Sequence, residues 1–214
     1  MQEYPEGSKI CGLSLGNQGK TCNTNQEKVM KYPHAHQVQP ADSSTEPRST
    51  MKKITILTTG GTIDKVYFDA KSEYEVGPPN IERVLGELNL AIAYTITSLM
   101  KKDSLEITAE DRGIIRQAAA AAATGYILIT HGTDTMTQTA EALMGLAGKT
   151  IVLTGALEPA LFKTSDAMFN IGCALGAVQS LPPGVYIAMN GAVFTAGQVR
   201  KNLALGRFEE IAPA

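Results

Sequence analysis

Two short segments of the chain place threonine hydroxyls beside glycines, where nucleophilic chemistry is possible. The first is Gly60-Gly61-Thr62-Ile63, and the second is His131-Gly132-Thr133-Asp134-Thr135-Met136. A threonine hydroxyl is a poor nucleophile until a base or a nearby charge activates it. The chemistry therefore depends on which other groups reach these two hydroxyls.

The residues before each segment predict a buried strand. Residues 54–59 and 126–130 are short apolar runs with the β-branched composition of strands. Open α/β folds bind their ligands at the edge where the strands have their carboxyl ends. We therefore expect one site at that edge, with the two hydroxyls facing each other.

The rest of the patterned region alternates between strands and helices. This alternation predicts an α/β fold with three layers, an open and mainly parallel sheet with helices on both faces. Thr62, Thr133 and Gly155 then share one edge. The predicted strands are residues 53–59, 91–99, 126–130, 150–154 and 185–189, and the predicted helices are residues 80–88, 108–123, 136–146 and 166–178.

Local signals support several of these helix starts. Asn80 is placed to cap the first helix and Asp134 the third, and Thr108 begins the second with acidic residues in its first turn. The polar residues 64–72 predict a mobile loop after the first strand.

Composition excludes several classes of function. A net charge of −2 gives no electrostatic footprint for nucleic acid. The three cysteines do not form an even set of pairs, which favours a reducing compartment. No apolar run is long enough to cross a bilayer, and the amino terminus has no secretory signal pattern. We expect a cytoplasmic protein that binds neither nucleic acid nor membrane.

Residues 1–50 differ from the rest of the chain. They are polar and their apolar residues follow no period, which predicts a disordered extension ahead of a catalytic domain over residues 51–214. The run Gly16-Asn17-Gln18-Gly19-Lys20-Thr21 lacks the first glycine of a phosphate-binding loop, because Ser14 stands there.

The ordered motifs resemble those of bacterial-type L-asparaginases over residues 53–211. Thr59-Gly60-Gly61-Thr62-Ile63 and the His131–Met136 segment are similar to the two signatures of that family. The remaining similar blocks are Tyr74-Glu75-Val76-Gly77, Asp103-Ser104-Leu105-Glu106-Ile107-Thr108, Thr154-Gly155-Ala156, Ser165-Asp166-Ala167, Met189-Asn190 and Val199-Arg200-Lys201-Asn202.

The resemblance implies an asparaginase N-terminal-domain fold and hydrolysis of L-asparagine to L-aspartate and ammonia, without a cofactor or metal. Thr62 matches the usual nucleophile, which forms an acyl-enzyme, and Tyr74 matches the lid tyrosine that helps to pass the proton. Thr133, Asp134 and Lys201 match a second group. There Lys201 primes Thr133, which activates water or attacks in the first step itself.

The resemblance also implies how the substrate is held. Ser104 would bind the α-carboxylate and Asp134 the α-amino group. Backbone N–H groups at Thr62 and near Gly132 or Ala156 would stabilise the oxyanion and carboxylate. The implied substrate-binding set is Ser104, Leu105, Gly132, Thr133, Asp134 and Ala156.

Each assignment has a structural alternative. Tyr74 could be an exposed loop aromatic, Ser104 and Asp134 could cap helices, and Lys201 could be a solvated surface lysine. We expect His131 to be a hydrogen-bonded scaffold residue rather than a base.

Two features depart from the family pattern. The family continues into a smaller C-terminal domain that helps to close the site, so the chain resembles a short or a truncated form. Asp64 replaces a small residue after the first signature and could alter the lid hinge.

Three further expectations remain open from the sequence. We expect a homo-oligomer, a dimer or tetramer, to cover the site. The rival functions are a glutaminase or amidotransferase-type amidase subunit, and a weakly active amino-acid-binding module.

Overall fold

A computed structural model describes residues 52–69 and 73–211 of the protein. Four helices occur along this part of the chain: α1 (Asn80–Gly86), α2 (Ala109–Ala121), α3 (Met136–Leu143) and α4 (Ala167–Ser180). Short 3-10 turns cover Thr62–Asp64 and Ser104–Glu106. The strands are β1 (Lys53–Gly60), β2 (Lys65–Phe68), β3 (Glu73–Val76), β4 (Ala93–Lys102), β5 (Tyr126–Thr130), β6 (Thr150–Thr154), β7 (Gly184–Met189), β8 (Ala192–Thr195), β9 (Val199–Asn202) and β10 (Arg207–Glu210).

Six of these strands form the central sheet, in the order β4-β1-β5-β6-β7-β8. Every neighbouring pair is parallel except β7 and β8, which form an antiparallel edge. The open, mainly parallel sheet predicted from the sequence is confirmed. None of the helices within the described residues is long and apolar enough to cross a membrane.

Side chains on the central strands are buried on both faces, which explains their nearly continuous apolar composition. Leu57, Ile129 and Leu153 belong to one core cluster, which also contains residues of α2 and α3. Ile56, Leu128 and Val152 alternate with them and belong to a second cluster with residues of α1 and α4. The predicted three-layer arrangement is therefore confirmed, with one apolar core on each face of the sheet.

The carboxyl ends of β1, β5 and β6 meet at one edge of this sheet, because the strands are parallel and adjacent. A Cβ atom added at Gly61 would overlap the backbone of Gly132, and one at Gly155 would overlap the carbonyl oxygen of His131. The segments that follow the three strands are therefore packed backbone to backbone. Thr62, Thr133 and Gly155 lie on this edge, as predicted.

The structure corrects the prediction of a loop over residues 64–72. Residues Lys65–Phe68 and Glu73–Val76 form an antiparallel pair in which Tyr67 is opposite Tyr74. Residues 70–72, between these two strands in the sequence, lie outside the described residues, as does the extension predicted over residues 1–50. A strand of four residues with exposed aromatic side chains is too short to show a clear alternation of apolar and polar residues. The polar composition of the segment therefore predicted a loop.

Two of the predicted helix caps are wrong, and one is confirmed. Pro79 precedes α1 and Thr135 precedes α3, so neither Asn80 nor Asp134 occupies the cap position. Thr108 does cap α2, in a reciprocal capping box with Asp111. The Asp134 carboxylate forms an ion pair with a distant lysine instead, a contact that local sequence does not reveal.

The remaining predicted bounds differ by a few residues. The strand predicted over residues 91–99 runs from Ala93 to Lys102, the helix predicted over residues 136–146 ends at Leu143, and the last predicted helix begins at Ala167. The last three strands were not predicted, although β9 carries Lys201.

Candidate active site

The centre of the site is a hydrogen-bonded group of three side chains. The Lys201 Nζ donates to the Thr133 Oγ1 at 2.7 Å and to the Asp134 Oδ1 at 2.6 Å. The Lys201 side chain is 15% exposed and that of Asp134 is 39% exposed. One lysine thus joins a hydroxyl and a carboxylate from a segment far away in sequence, and the Lys201 end of the contact is largely shielded from solvent.

Lys201 reaches Thr133 because of the antiparallel pair of β9 and β10. Lys201 is opposite Phe208, whose side chain is buried. The Phe208 N–H donates to the Asn190 Oδ1 at 3.0 Å, and Asn190 adopts a φ of 55° in the turn after β7. Packing and this turn therefore fix the hairpin to the sheet and place the lysine at its carboxyl edge.

The segment that carries Thr133 and Asp134 is fixed on two sides. The His131 N–H donates to the Thr154 carbonyl at 2.9 Å, which extends the pairing of β5 with β6. The Thr135 Oγ1 donates to the Ser104 carbonyl at 2.7 Å. Thr133 itself is buried, with 3% of its surface exposed. Its hydroxyl is therefore held in one environment.

Thr62 begins the 3-10 turn that follows β1. The preceding Gly61 has a φ of 88°, a conformation that favours glycine, and its N–H donates to the Lys102 carbonyl at 2.9 Å. The Asp64 N–H closes the turn on the Gly61 carbonyl at 3.0 Å. The first N–H groups of such a turn have no partners within it and are suited to bind an oxyanion.

Three of the predicted substrate-binding residues lie at this edge in different environments. Ser104 is buried, and its Oγ would lie 2.7 Å from a Cβ added at Gly132. Ala156 is buried in the segment after β6. Leu105 is 74% exposed, so most of its side chain lies in solvent.

Tyr74 lies on β3 with half of its surface exposed. Its ring packs edge-on against Tyr67, with the centroids 5.4 Å apart, and against Phe162 at 6.0 Å. The aromatic contact joins the β2–β3 hairpin to the segment after β6. Phe162 gave no signal in the sequence.

Comparison with known proteins identifies the family. The protein family described as "Asparaginase, N-terminal" matches residues 53–208. The chain belongs to the asparaginase family. It is 32% identical to a glutamyl-tRNA(Gln) amidotransferase subunit of Pyrococcus furiosus, over 77% of this chain and 39% of that protein. It is 31% identical to the L-asparaginase of Thermococcus kodakarensis, over 74% of this chain and 51% of that protein.

The structural comparison agrees. The thermostable L-asparaginase from Thermococcus kodakarensis superimposes with a TM-score of 0.65 and 28% identity, covering 76% of this chain and 52% of that one. The chain thus spans about half, or less, of the length of these relatives. Within the part of this asparaginase-family chain that the structure describes, no cluster of three or more His, Cys, Asp and Glu side chains could hold a metal ion.

Asp64 has a structural role. The sequence showed only that this residue departs from the family pattern. Its Oδ1 accepts from the Asn80 N–H at 2.7 Å, at the start of α1, and its carbonyl accepts from the Gly77 N–H at 2.8 Å. Burial raises the pKa of this carboxyl to about 7, against the opposing effects of the Asn80 hydrogen bond and the Lys101 charge. Asp64 thereby joins the Thr62 turn to the end of the hairpin and to α1.

Asn170, on α4, is a second residue that sequence reasoning missed. Its Nδ2 donates to the Gly155 carbonyl at 3.0 Å and to the Asp166 Oδ2 at 2.8 Å, while its Oδ1 accepts from the Asn190 N–H at 3.2 Å. One fully buried amide therefore fixes the segments that follow β6 and β7. An asparagine in an apolar helix could have marked this position.

His131 behaves as the scaffold residue expected from the sequence. Both ring nitrogens are within hydrogen-bond distance of partners, the Gly132 carbonyl at 2.7 Å and the Thr139 Oγ1 at 2.8 Å. Burial lowers the pKa of His131 to about 4, despite the Gly132 hydrogen bond, and the nearby Arg112 charge adds to the effect. The imidazole is therefore neutral at physiological pH.

The raised pKa of Asp64 predicts an unusual pH dependence of stability. The unfolded chain releases this proton near pH 3.8, whereas the folded protein keeps it to about pH 7. The folded state binds more protons in between, so the free energy of unfolding falls as the pH rises through that range, on the order of a few kcal/mol. Asp64→Asn keeps an acceptor for the Asn80 N–H and abolishes this fall.

Urea denaturation at several pH values measures this effect. The Asp64→Asn variant should be more stable than the parent at roughly pH 8, and the difference should shrink towards roughly pH 4. Parallel pH profiles for the two proteins would show that the Asp64 carboxyl is not destabilised by burial.

Proposed function

We propose that this asparaginase-family protein hydrolyses L-asparagine to L-aspartate and ammonia through a threonine acyl-enzyme, without a cofactor. The observation that carries the proposal is the pair of short hydrogen bonds from Lys201 to Thr133 and Asp134. A lysine amine that contacts a buried hydroxyl and a carboxylate at a ligand-binding edge is suited to take a proton from an oxygen nucleophile and to return it. The family membership supports the same class of reaction.

In the first step, the Thr62 oxygen attacks the side-chain amide carbon of asparagine. Its hydroxyl proton passes through Tyr74 to the amide nitrogen, the C–N bond breaks, and ammonia leaves. The product is an aspartyl ester of Thr62. N–H groups of the Thr62 turn and of the segment after Gly132 stabilise the negative charge that develops on the amide oxygen.

In the second step, water attacks the ester carbon. Thr133 accepts a proton from that water as it passes its own hydroxyl proton to the Lys201 amine, and the resulting Lys201 ammonium protonates the Thr62 oxygen as it leaves. The hydroxyls and the lysine are thereby restored. Asp134 stabilises the lysine when it is charged, and it binds the substrate's α-amino group on its more exposed side.

Ser104 is the proposed partner of the substrate's α-carboxylate. It is buried against Gly132, next to the segment that carries Thr133 and Asp134. A hydroxyl on one side and a carboxylate on the other would distinguish the two charged groups of an amino acid. This pairing orients the side-chain amide toward the threonines.

Two other functions remain candidates for the same site. Similarity to a glutamyl-tRNA(Gln) amidotransferase subunit favours an amidase subunit, with glutamine as a second possible substrate. The second alternative is an amino-acid-binding module with weak activity. It is supported by the observation that this chain spans only about half of the length of related asparaginases.

We also propose that the protein works as a homo-oligomer, a dimer or tetramer, in the cytoplasm. Several large apolar side chains are exposed on α4 and in the segment before it, among them Leu161, Phe162, Met168 and Phe169. Such surface favours association, and closed symmetry is the usual outcome for identical chains. Sedimentation under assay conditions measures the size of the assembly.

Release of ammonia distinguishes these functions. The purified 214-residue chain should release ammonia from L-asparagine and much less from L-glutamine. Equal rates with the two amides would favour the broader amidase, and glutamine preference would contradict the proposal. Binding of L-asparagine by calorimetry without ammonia release would identify the binding module.

The roles of the two threonines can be separated by substitution. Thr62→Ala should lower kcat by about a thousandfold or more, whereas Thr62→Ser should keep part of the activity because the hydroxyl remains. Single-turnover assays with trapping of the acyl-enzyme measure the first step. Near-normal turnover in Thr62→Ala with an inactive Thr133→Ala would assign the attack to Thr133, and two active variants would contradict the mechanism.

The proton-accepting role of Lys201 predicts a specific pattern. Lys201→Met should abolish turnover while asparagine binding changes less, and Lys201→Arg should fail as well because a guanidinium does not give up its proton. Lys53→Met is the control, since this exposed lysine begins β1 at the opposite edge of the sheet. A Lys201→Arg enzyme with normal kcat would show that the side chain supplies positive charge alone.

A further inference from the structure

We infer that His131 is a positioning residue which fixes the peptide between Gly132 and Thr133, so that the Thr133 N–H faces the substrate. The inference rests on the proposed function. In that reaction the Thr133 N–H would donate a hydrogen bond to the developing oxyanion. The side chain of His131 is fully buried, so it acts on the reaction through the backbone and not by touching the substrate.

The hydrogen bonds of the imidazole fix its tautomer. The Gly132 carbonyl, 2.7 Å from Nδ1, can only accept a hydrogen bond, so Nδ1 must carry the proton. In the neutral ring Nε2 then has a lone pair, which accepts from the Thr139 hydroxyl at 2.8 Å. Thr139 is fully buried on α3. The ring therefore connects the Gly132 carbonyl to a fixed point in the core.

This connection matters because position 132 must be a glycine. A Cβ added there would lie 2.7 Å from both the Cβ and the Oγ of Ser104, and 3.2 Å from the Cα of Gly61. Glycine satisfies the close packing, but it also removes the steric barriers that keep other residues in one backbone conformation. The peptide that follows Gly132 needs an external restraint, and the His131 ring provides it.

The direction of the Thr133 N–H follows from peptide geometry. In a trans peptide the C=O and the following N–H point in opposite directions. The Gly132 carbonyl points to the buried imidazole, so the Thr133 N–H points away from it, on the outer side of the segment. Rotation of this peptide would turn a carbonyl oxygen toward the substrate, where it would repel an oxyanion.

Burial keeps the His131 imidazole, which restrains the peptide, in one protonation state. Desolvation by burial lowers the pKa of His131, the Gly132 hydrogen bond opposes the shift, and the charge of Arg112 on α2 adds to it. The neutral ring with its single Nδ1 proton is thus the form present across the physiological range. Arg112 is itself bonded to the Gln138 side chain on α3.

Four variants test the inference. His131→Leu removes both hydrogen bonds and should lower kcat by about a hundredfold, the cost typical of losing one oxyanion donor, with a smaller change in KM. His131→Asn places an amide N–H near the Nδ1 position and should recover about tenfold of that loss. Thr139→Val should lower kcat by about fivefold because the ring loses the hydrogen bond that anchors it to α3, and Thr139→Ser should match the parent.

Thr139→Val preserves the packing volume and Thr139→Ser removes one methyl group, so both variants remain informative if the His131 variants fold poorly. Circular dichroism and urea midpoints establish the folded fraction, and kcat is expressed per folded molecule. Normal kcat in folded His131→Leu or Thr139→Val would overturn the inference. Loss of activity in His131→Asn as complete as in His131→Leu would overturn it too, because a base would then be required.

Ring-nitrogen NMR provides a readout that does not depend on turnover. A nitrogen-15 spectrum of the parent protein should show a protonated Nδ1 and an unprotonated Nε2 for His131, and the opposite tautomer would overturn the inference. The Thr133 amide resonance should shift when L-aspartate is added, and less so in His131→Leu. If the parent releases no ammonia, the proposed function fails, whereas a correct tautomer and a shifting amide would still support the restraint.

Discussion

The close approach of three glycines governs the rest of this site. Gly61 packs against the backbone of Gly132, and Gly155 packs against the carbonyl of His131, with no room for a Cβ atom at Gly61 or Gly155. Parallel strands normally end about 4.8 Å apart, with side chains between the segments that follow them. Removing those side chains lets the backbones touch. The next residues, Thr62 and Thr133, are then the first side chains that the two segments can offer to a ligand.

The site therefore has two parts. One part is fixed by backbone packing at the strand ends, and the other is a side chain that comes from a separate hairpin. The threonines follow directly from the sheet, and Asn170 and Asp64 bind the segments around them through buried hydrogen bonds. Lys201 comes from a separate hairpin and reaches Thr133 by a flexible side chain. Two buried polar groups, Asp64 and His131, have opposite pKa shifts with the same cause, since burial disfavours the charged form of each.

An element could be predicted from the sequence when the residues that determine it are close together in the chain. The central strands and the three strand ends followed from apolar runs and glycines, and Thr108 was correctly identified as a cap because its partner Asp111 lies three residues away. The caps assigned to Asn80 and Asp134 were wrong because the controlling partners are Asp64 and Lys201, distant in sequence. The short strands β9 and β10 pair through a turn and one buried phenylalanine, a signal too weak to separate from a loop.

The geometry of the Lys201 group comes from packing more than from its ion pair. Asp134 is 39% exposed, and ion pairs with such exposure contribute little net free energy because solvent and salt screen them. The side chains of Val199 and Phe208, by contrast, are almost fully buried on either strand of the hairpin. Apolar burial therefore places the lysine near the hydroxyl, and the carboxylate sets its direction and charge. A catalytic lysine arranged in this way remains in position when it gains and loses a proton, because apolar packing and not its own charge holds it in place.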